Sequence, residues 1–202
     1  MNRDEFFDAL LLRTPENAAA FDREHEARLG TEGSVLVCDS SGFTRITRES
    51  GILHFLALLA QSYRLARPIV AEHGGALVKT EADNLIALFS EPAAAVRCAL
   101  DIQRAHADRN AVVPDAERFE LSVGVDHGHY LRLDDDAFGD AINTAYKVGE
   151  DLAHAGEILL TDRLVARLGG PAAMPEGIAL EQAGTHDAGR VAITLFRVSL
   201  HG

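Results

Sequence analysis

Residues 76–80 and 85–89, ALVKT and LIALF, are two apolar runs parted only by the short stretch Glu81-Ala82-Asp83-Asn84. Runs of that length around a polar break predict a β-hairpin. Each side of it carries a helix-length segment. Upstream, residues 52–72 are apolar at helical spacing and close on His73-Gly74-Gly75, residues suited to a left-handed cap. Downstream, Pro92 opens a stretch predicted helical to Asp108, at a position where a missing backbone N–H costs little. A hairpin between two such helices forces antiparallel pairing, which argues against a doubly wound parallel sheet.

The rest of the chain extends the pattern. SVLVCD at 34–39 reads as a strand followed by the polar break SSGFT. Residues 119–133 read as two strands interrupted at Asp126 to Gly128. The segment 134–156 reads as an acidic loop leading into a helix stopped by Gly156, and EILLT, DRLVARLGG and the pair IALEQAG and VAITLFRV as strand, helix and two strands, with a linker at 169–177. No Gly-rich βαβ unit and no internal repeat appears, so the expectation is an α+β fold, a mostly antiparallel sheet with helices on one face. Residues 1–30 form an N-terminal extension of one or two amphipathic helices, with Phe6, Phe7, Leu10 and Leu11 at helical spacing and Thr14-Pro15-Glu16 starting the second. The main domain is expected over 31–202.

Charge narrows the partners. With 19 Lys and Arg against 31 Asp and Glu, the net charge is −12, which disfavours nucleic acid and anionic membranes. The longest apolar stretch, 52–60, already contains His54 and falls short of the ~20 residues of a membrane span. Cys38 and Cys98 sit in apolar runs rather than a spaced framework, and the N-terminus lacks a signal-peptide pattern, so a cytoplasmic setting is expected.

An acidic chain still binds a nucleoside triphosphate when a divalent cation bridges carboxylate and phosphate. Asp39, at the expected end of its strand, precedes Gly42, Phe43 and Thr44, a glycine-containing loop able to place backbone N–H groups beside a phosphate. Read alone, Asp39 is more often a turn former or helix cap. Asp83 stands at the expected hairpin tip, and a strand end and a neighbouring tip are where two carboxylates converge on cations. Lys79 occupies mid-strand, facing either solvent or a base. His127 and His129 flank Gly128 without a third ligand and are left outside the site.

Four segments, VCDSSGFT from Val37, KTEAD from Lys79, LSVGVDHG from Leu121 and FGDAINTAYK from Phe138, together resemble the class III adenylate and guanylate cyclase family, in the family's order and over roughly residues 34–168. The resemblance implies a ferredoxin-like class III cyclase fold. It implies that Asp39 and Asp83 hold two Mg²⁺ or Mn²⁺ ions per site, that Lys79 and Asp136 read an adenine edge, and that Asn143 positions the ribose. It further implies a head-to-tail homodimer, because the metal aspartates and the base-reading residues come from different subunits, and conversion of ATP to cyclic AMP and pyrophosphate.

The chain departs from the family at three places. Lys147 stands where the family has a transition-state arginine, and keeps the charge without the planar fork. Ala82 replaces a glycine before the second metal aspartate. The C-terminal strand pair lacks the family's phosphate-contacting lysine, leaving His186 or Arg190 as substitutes. Two alternatives follow: a weak or inactive cyclase-homology domain that binds nucleotide as a regulatory module, and a cyclase of GTP or a pyrimidine triphosphate, since Asp135 competes with Asp136 for the base-reading position.

Overall fold

The computed structural model describes residues 1–174, 177–187 and 192–200. Among them, β1 (Gly30–Ser41), β2 (Ala76–Glu81), β3 (Asn84–Phe89), β4 (Glu120–Arg132), β5 (Ala137–Phe138), β6 (Ile158–Thr161), β7 (Ile178–Asp187) and β8 (Ala192–Leu200) make one sheet. Its order is β2-β3-β1-β4-β6-β8-β7, with β5 added beside β4. Only β4 and β6 run parallel, Val123 opposite Ile158. The mostly antiparallel α+β architecture is therefore the one the hairpin imposed.

Helices α1 (Arg3–Leu10) and α2 (Ala18–Leu29) precede the sheet, followed by α3 (Phe43–Ser50), α4 (Ile52–Glu72), α5 (Pro92–Val112), α6 (Asp140–Tyr146) and α7 (Asp162–Arg167). On α4 the buried residues Phe55, Leu58, Leu59, Ser62, Ala66 and Val70 recur every three or four positions, a stripe that can only face a core. It packs with α5 against Leu36, Cys38, Leu85, Ala87, Val123 and Val125. The alternate strand residues Val35, Val37, Ile86 and Leu88 point the other way and are covered by Ala141, Ile142 and Ala145 of α6. So the helices do not all lie on one face: α6 takes the opposite face. Its approach is close, because a Cβ on Gly124 of β4 would lie 2.5 Å from the Ala145 carbonyl oxygen.

Between α4 and α5, His106 is buried and pairs at 2.8 Å with both Ser62 Oγ and the Ile102 carbonyl. The carbonyl only accepts, so Nδ1 carries the proton and Nε2 accepts from the serine, giving a neutral ring. Burial pushes its pKa down, in agreement.

Four further expectations are corrected. The second N-terminal helix starts at Ala18, not at Pro15. The polar break after SVLVCD contains a helix, α3, which buries only Ile46 and so shows no apolar periodicity. The helix from Pro92 continues past Asp108 to Val112. Most tellingly, β4 is uninterrupted: Asp126, His127 and Gly128 pair with Val35, Ser34 and Gly33 of β1. A fully buried Asp126 is tolerated mid-strand because Thr161 donates to it at 2.5 Å and Arg163 closes on it from α7.

Candidate functional site

Strand β1 does not stop at Asp39. Pairing with β4 carries it on through Ser41, so Gly42, with φ +96°, is the only residue before α3 starts at Phe43. Gly42, Phe43 and Thr44 thus form the N-terminus of a helix rather than an open loop, and all three are exposed. First-turn N–H groups there lack intrahelical partners.

Asp83 is delivered from the neighbouring hairpin. Cys38 pairs with Leu85 across β1 and β3, and the Ser40 hydroxyl donates to Asp83 Oδ2 at 2.5 Å. Burial, with the charges of Asp83 and then Glu150 and Asp151, pushes the Asp39 carboxyl up to about 7. The two carboxylates are close enough for their charges to act on one another, and carboxylate oxygens are the donor type that hard divalent cations take. Among the described residues no group of three or more His, Cys, Asp and Glu is placed to hold a metal ion.

The hairpin tip is tied down from α4. The Tyr63 hydroxyl lies 3.3 Å from the Ala82 carbonyl and 3.2 Å from that of Asn84, and burial raises its pKa to about 12. Ala82 itself has φ +50°, the left-handed conformation that primed hairpin turns fill with glycine. Ala82→Gly is accordingly expected to stabilise the protein by about 1 kcal/mol, read by urea unfolding.

Two cavities flank α6. The first, about 170 Å³, is lined by Lys79, Glu81, Asp136, Phe138, Asn143 and Tyr146 among others. Asp136 is 3% exposed and sits 3.3 Å from Lys79 Nζ, whereas Asp134 and Asp135 are exposed. Lys79 also holds Glu81 at 2.6 Å. The second, about 180 Å³, is lined by Asp140, Asn143, Thr144, Lys147, His186 and apolar neighbours. Asn143 belongs to both. Lys147 lies one turn on, at the start of a wider π-helical turn (Lys147–Leu152), and donates to Asp151 at 2.6 Å. Neither cavity is lined by Asp39 or Asp83. Arg190 lies outside the described residues.

Sequence reasoning missed Glu150, Asp151, Tyr63 and Arg3. Glu150 and Asp151 charge the Asp39 surroundings, and Glu150 accepts from Asn84 at 2.6 Å. Arg3 reaches Asp136 at 3.6 Å. Tyr146 packs on the α6 core and also lines the first cavity. His127 is buried against Ser34 and Glu32, and His129 pairs with Glu26.

A family model described as the adenylate and guanylate cyclase catalytic domain matches residues 30–188. The chain is 32% identical over 130 residues to a candidate adenylate cyclase 3 of Rhizobium meliloti, covering 64% of this chain and 22% of that protein. It is 30% identical over 129 residues to the serine/threonine-protein kinase pkn2 of Myxococcus xanthus, covering 64% and 15%. The chain thus spans about a fifth or less of these relatives' length. Among solved structures, an adenylate/guanylate cyclase/hydrolase from Silicibacter pomeroyi superposes with TM-score 0.71 at 28% identity, over 86% of this chain and 99% of that one. The adenylyl cyclase CyaB from P. aeruginosa shares the fold, with TM-score 0.69 at 18% identity over 86% and 97%.

Proposed function

The chain belongs to the adenylate and guanylate cyclase catalytic domain family, and from that premise we propose that it cyclises a nucleoside triphosphate, ATP by preference, releasing pyrophosphate at the interface of a homodimer. The observation that carries this reading is the position of Asn143 in the lining of both cavities. A base seated between Lys79 and Asp136 would place its ribose at Asn143 and its phosphates toward Lys147 and His186. Lys79 donates to a ring nitrogen and Asp136 accepts from an exocyclic amine, a pattern adenine offers and guanine, with a carbonyl there, does not.

Asp39 and Asp83 would hold the divalent cations. When bound, these supply acidification of the ribose 3′-hydroxyl and neutralisation of the triphosphate. The chain's own part is positioning: Ser40 orients Asp83, Tyr63 fixes the hairpin, and Lys147 offers positive charge to the leaving pyrophosphate. Since both cavities omit the two aspartates, a second copy bringing its Asp39 and Asp83 to this α6 would complete the site. Phe43, Ile52, Leu53 and Leu56, exposed on α3 and early α4, give such a copy apolar surface to cover.

Incubation with each of the four nucleoside triphosphates and Mn²⁺ tests the reading, with cyclic AMP as the expected main product. Absence of any cyclic product from the parent chain and from Lys147→Arg would remove it. A second reading, a nucleotide-binding regulatory module, is favoured by one contact: Lys147 is engaged by Asp151. Lys147→Arg is expected to raise turnover about tenfold by restoring a two-pronged donor. Creation of activity from a parent that only binds nucleotide would favour the regulatory module.

A further inference from the structure

The first residues of the chain meet the base cavity. The Arg3 backbone N–H donates to Asp135 Oδ1 at 2.7 Å, and its guanidinium stands 3.6 Å from Asp136 Oδ2. Farther along α1, Phe6 stacks on Phe138 at 6.4 Å between centroids and Phe7 meets the same ring edge-on at 5.8 Å. Phe138 and Asp136 both line the cavity, so α1 forms the outer support of two of its walls.

Asp136 is a buried carboxylate that forms ion pairs with Lys79 and Arg3. Its Oδ1 also accepts from the Ala137 N–H at 2.8 Å. A buried carboxylate left without counter-charge is costly. Lys79 is already shared with Glu81, at a shorter distance than to Asp136. On the base-reading assignment above, Lys79 must also turn to a ring nitrogen. At that moment Arg3 is, among the described residues, the remaining cation paired with Asp136.

We propose that α1 completes the base cavity and that Arg3 is a specificity-determining positioning residue, the standing counter-charge that holds Asp136 in line to accept from the amine of an adenine. This rests on the reading of Lys79 and Asp136 as base-reading residues. Arg3 acts on adenine through Asp136. Guanine makes no favourable contact with that carboxylate and is indifferent to the arginine.

The test measures binding of 3′-deoxy-ATP and 3′-deoxy-GTP, which cannot cyclise, to the full chain with Mn²⁺. Arg3→Ala is expected to weaken the adenine analogue about fivefold, the scale of one ion pair from a half-exposed side chain, and to leave the guanine analogue within about twofold. Arg3→Lys restores most of the difference, and Asp136→Asn reproduces the loss. Arg13→Ala, which breaks the exposed pair with Asp22 in the same N-terminal segment, serves as a control for loosened helices and should move neither analogue. If Asp136→Asn narrows the preference and Arg3→Ala does not, the inference fails and the base-reading assignment stands. An equal loss for both analogues in Arg3→Ala also overturns it, as a purely structural role. If Asp136→Asn leaves the preference intact, or the parent binds neither analogue, the assignment falls and the inference with it.

Discussion

Asp39→Ala is expected to cut cyclisation by about a thousandfold or more while leaving nucleotide binding largely intact, because on the proposed reading the carboxylate serves the reacting end of the site, and it does not line the base cavity. Single-turnover assays with Mn²⁺, set against binding of 3′-deoxy-ATP, separate the two effects. A loss confined to binding would contradict the assignment. The same carboxylate weakens the metal-free fold. Its folded pKa of about 7 lies above the unfolded carboxyl value, so the folded state holds this proton more tightly. Its stabilising contribution is present in full below about pH 4 and is lost as pH rises to about 7. Asp39→Asn should therefore raise the melting temperature of metal-free protein at pH 8, more than at pH 5, while abolishing turnover. Opposite signs for stability and activity at one residue mark a group kept for chemistry.

Arg163→Ala is expected to destabilise the protein by about 3–5 kcal/mol, because it strips the main counter-charge from a carboxylate with no exposed surface. Burial already pushes Asp126 up, even with Thr161 and Arg163 pulling it back. Without the guanidinium the folded state holds that proton more tightly still, so the deficit grows once pH rises past the wild-type folded pKa, itself above the ordinary carboxyl value. Urea unfolding at pH 5 and pH 8 reads both effects, and adding Asp126→Asn should recover part of the loss at the higher pH. A deficit that is the same at both values would reject the electrostatic account. The guanidinium also holds Asp140 and Thr144 of α6, the helix that carries Asn143. Activity should fall along with stability.

The hairpin and α4 were legible in the sequence because their signals are local: a short polar break between apolar runs, and an apolar stripe ended by His73-Gly74-Gly75. Strand β4 was misread for the opposite reason. Asp126-His127-Gly128 has the composition of a turn, and what keeps it extended is twelve residues of pairing with β1 and an arginine 37 positions away. Helix α3 escaped because seven of its eight residues stay out of the core. In the site, residue types were readable but not their environments. Asp134, Asp135 and Asp136 are chemically identical, and only burial beside Lys79 distinguishes the third. Arg3 lay beyond any local pattern, since its contacts cross more than 130 positions.

The Tyr63 hydroxyl has one proton and stands almost equally far from two carbonyls, on either side of Asp83. It can satisfy only one of them fully at a time. The hairpin tip is thus held in either of two nearly equal bonds, and passing from one to the other requires no complete rupture. On the proposed reading, this lets the tip that carries Asp83 shift slightly without losing its anchor on α4.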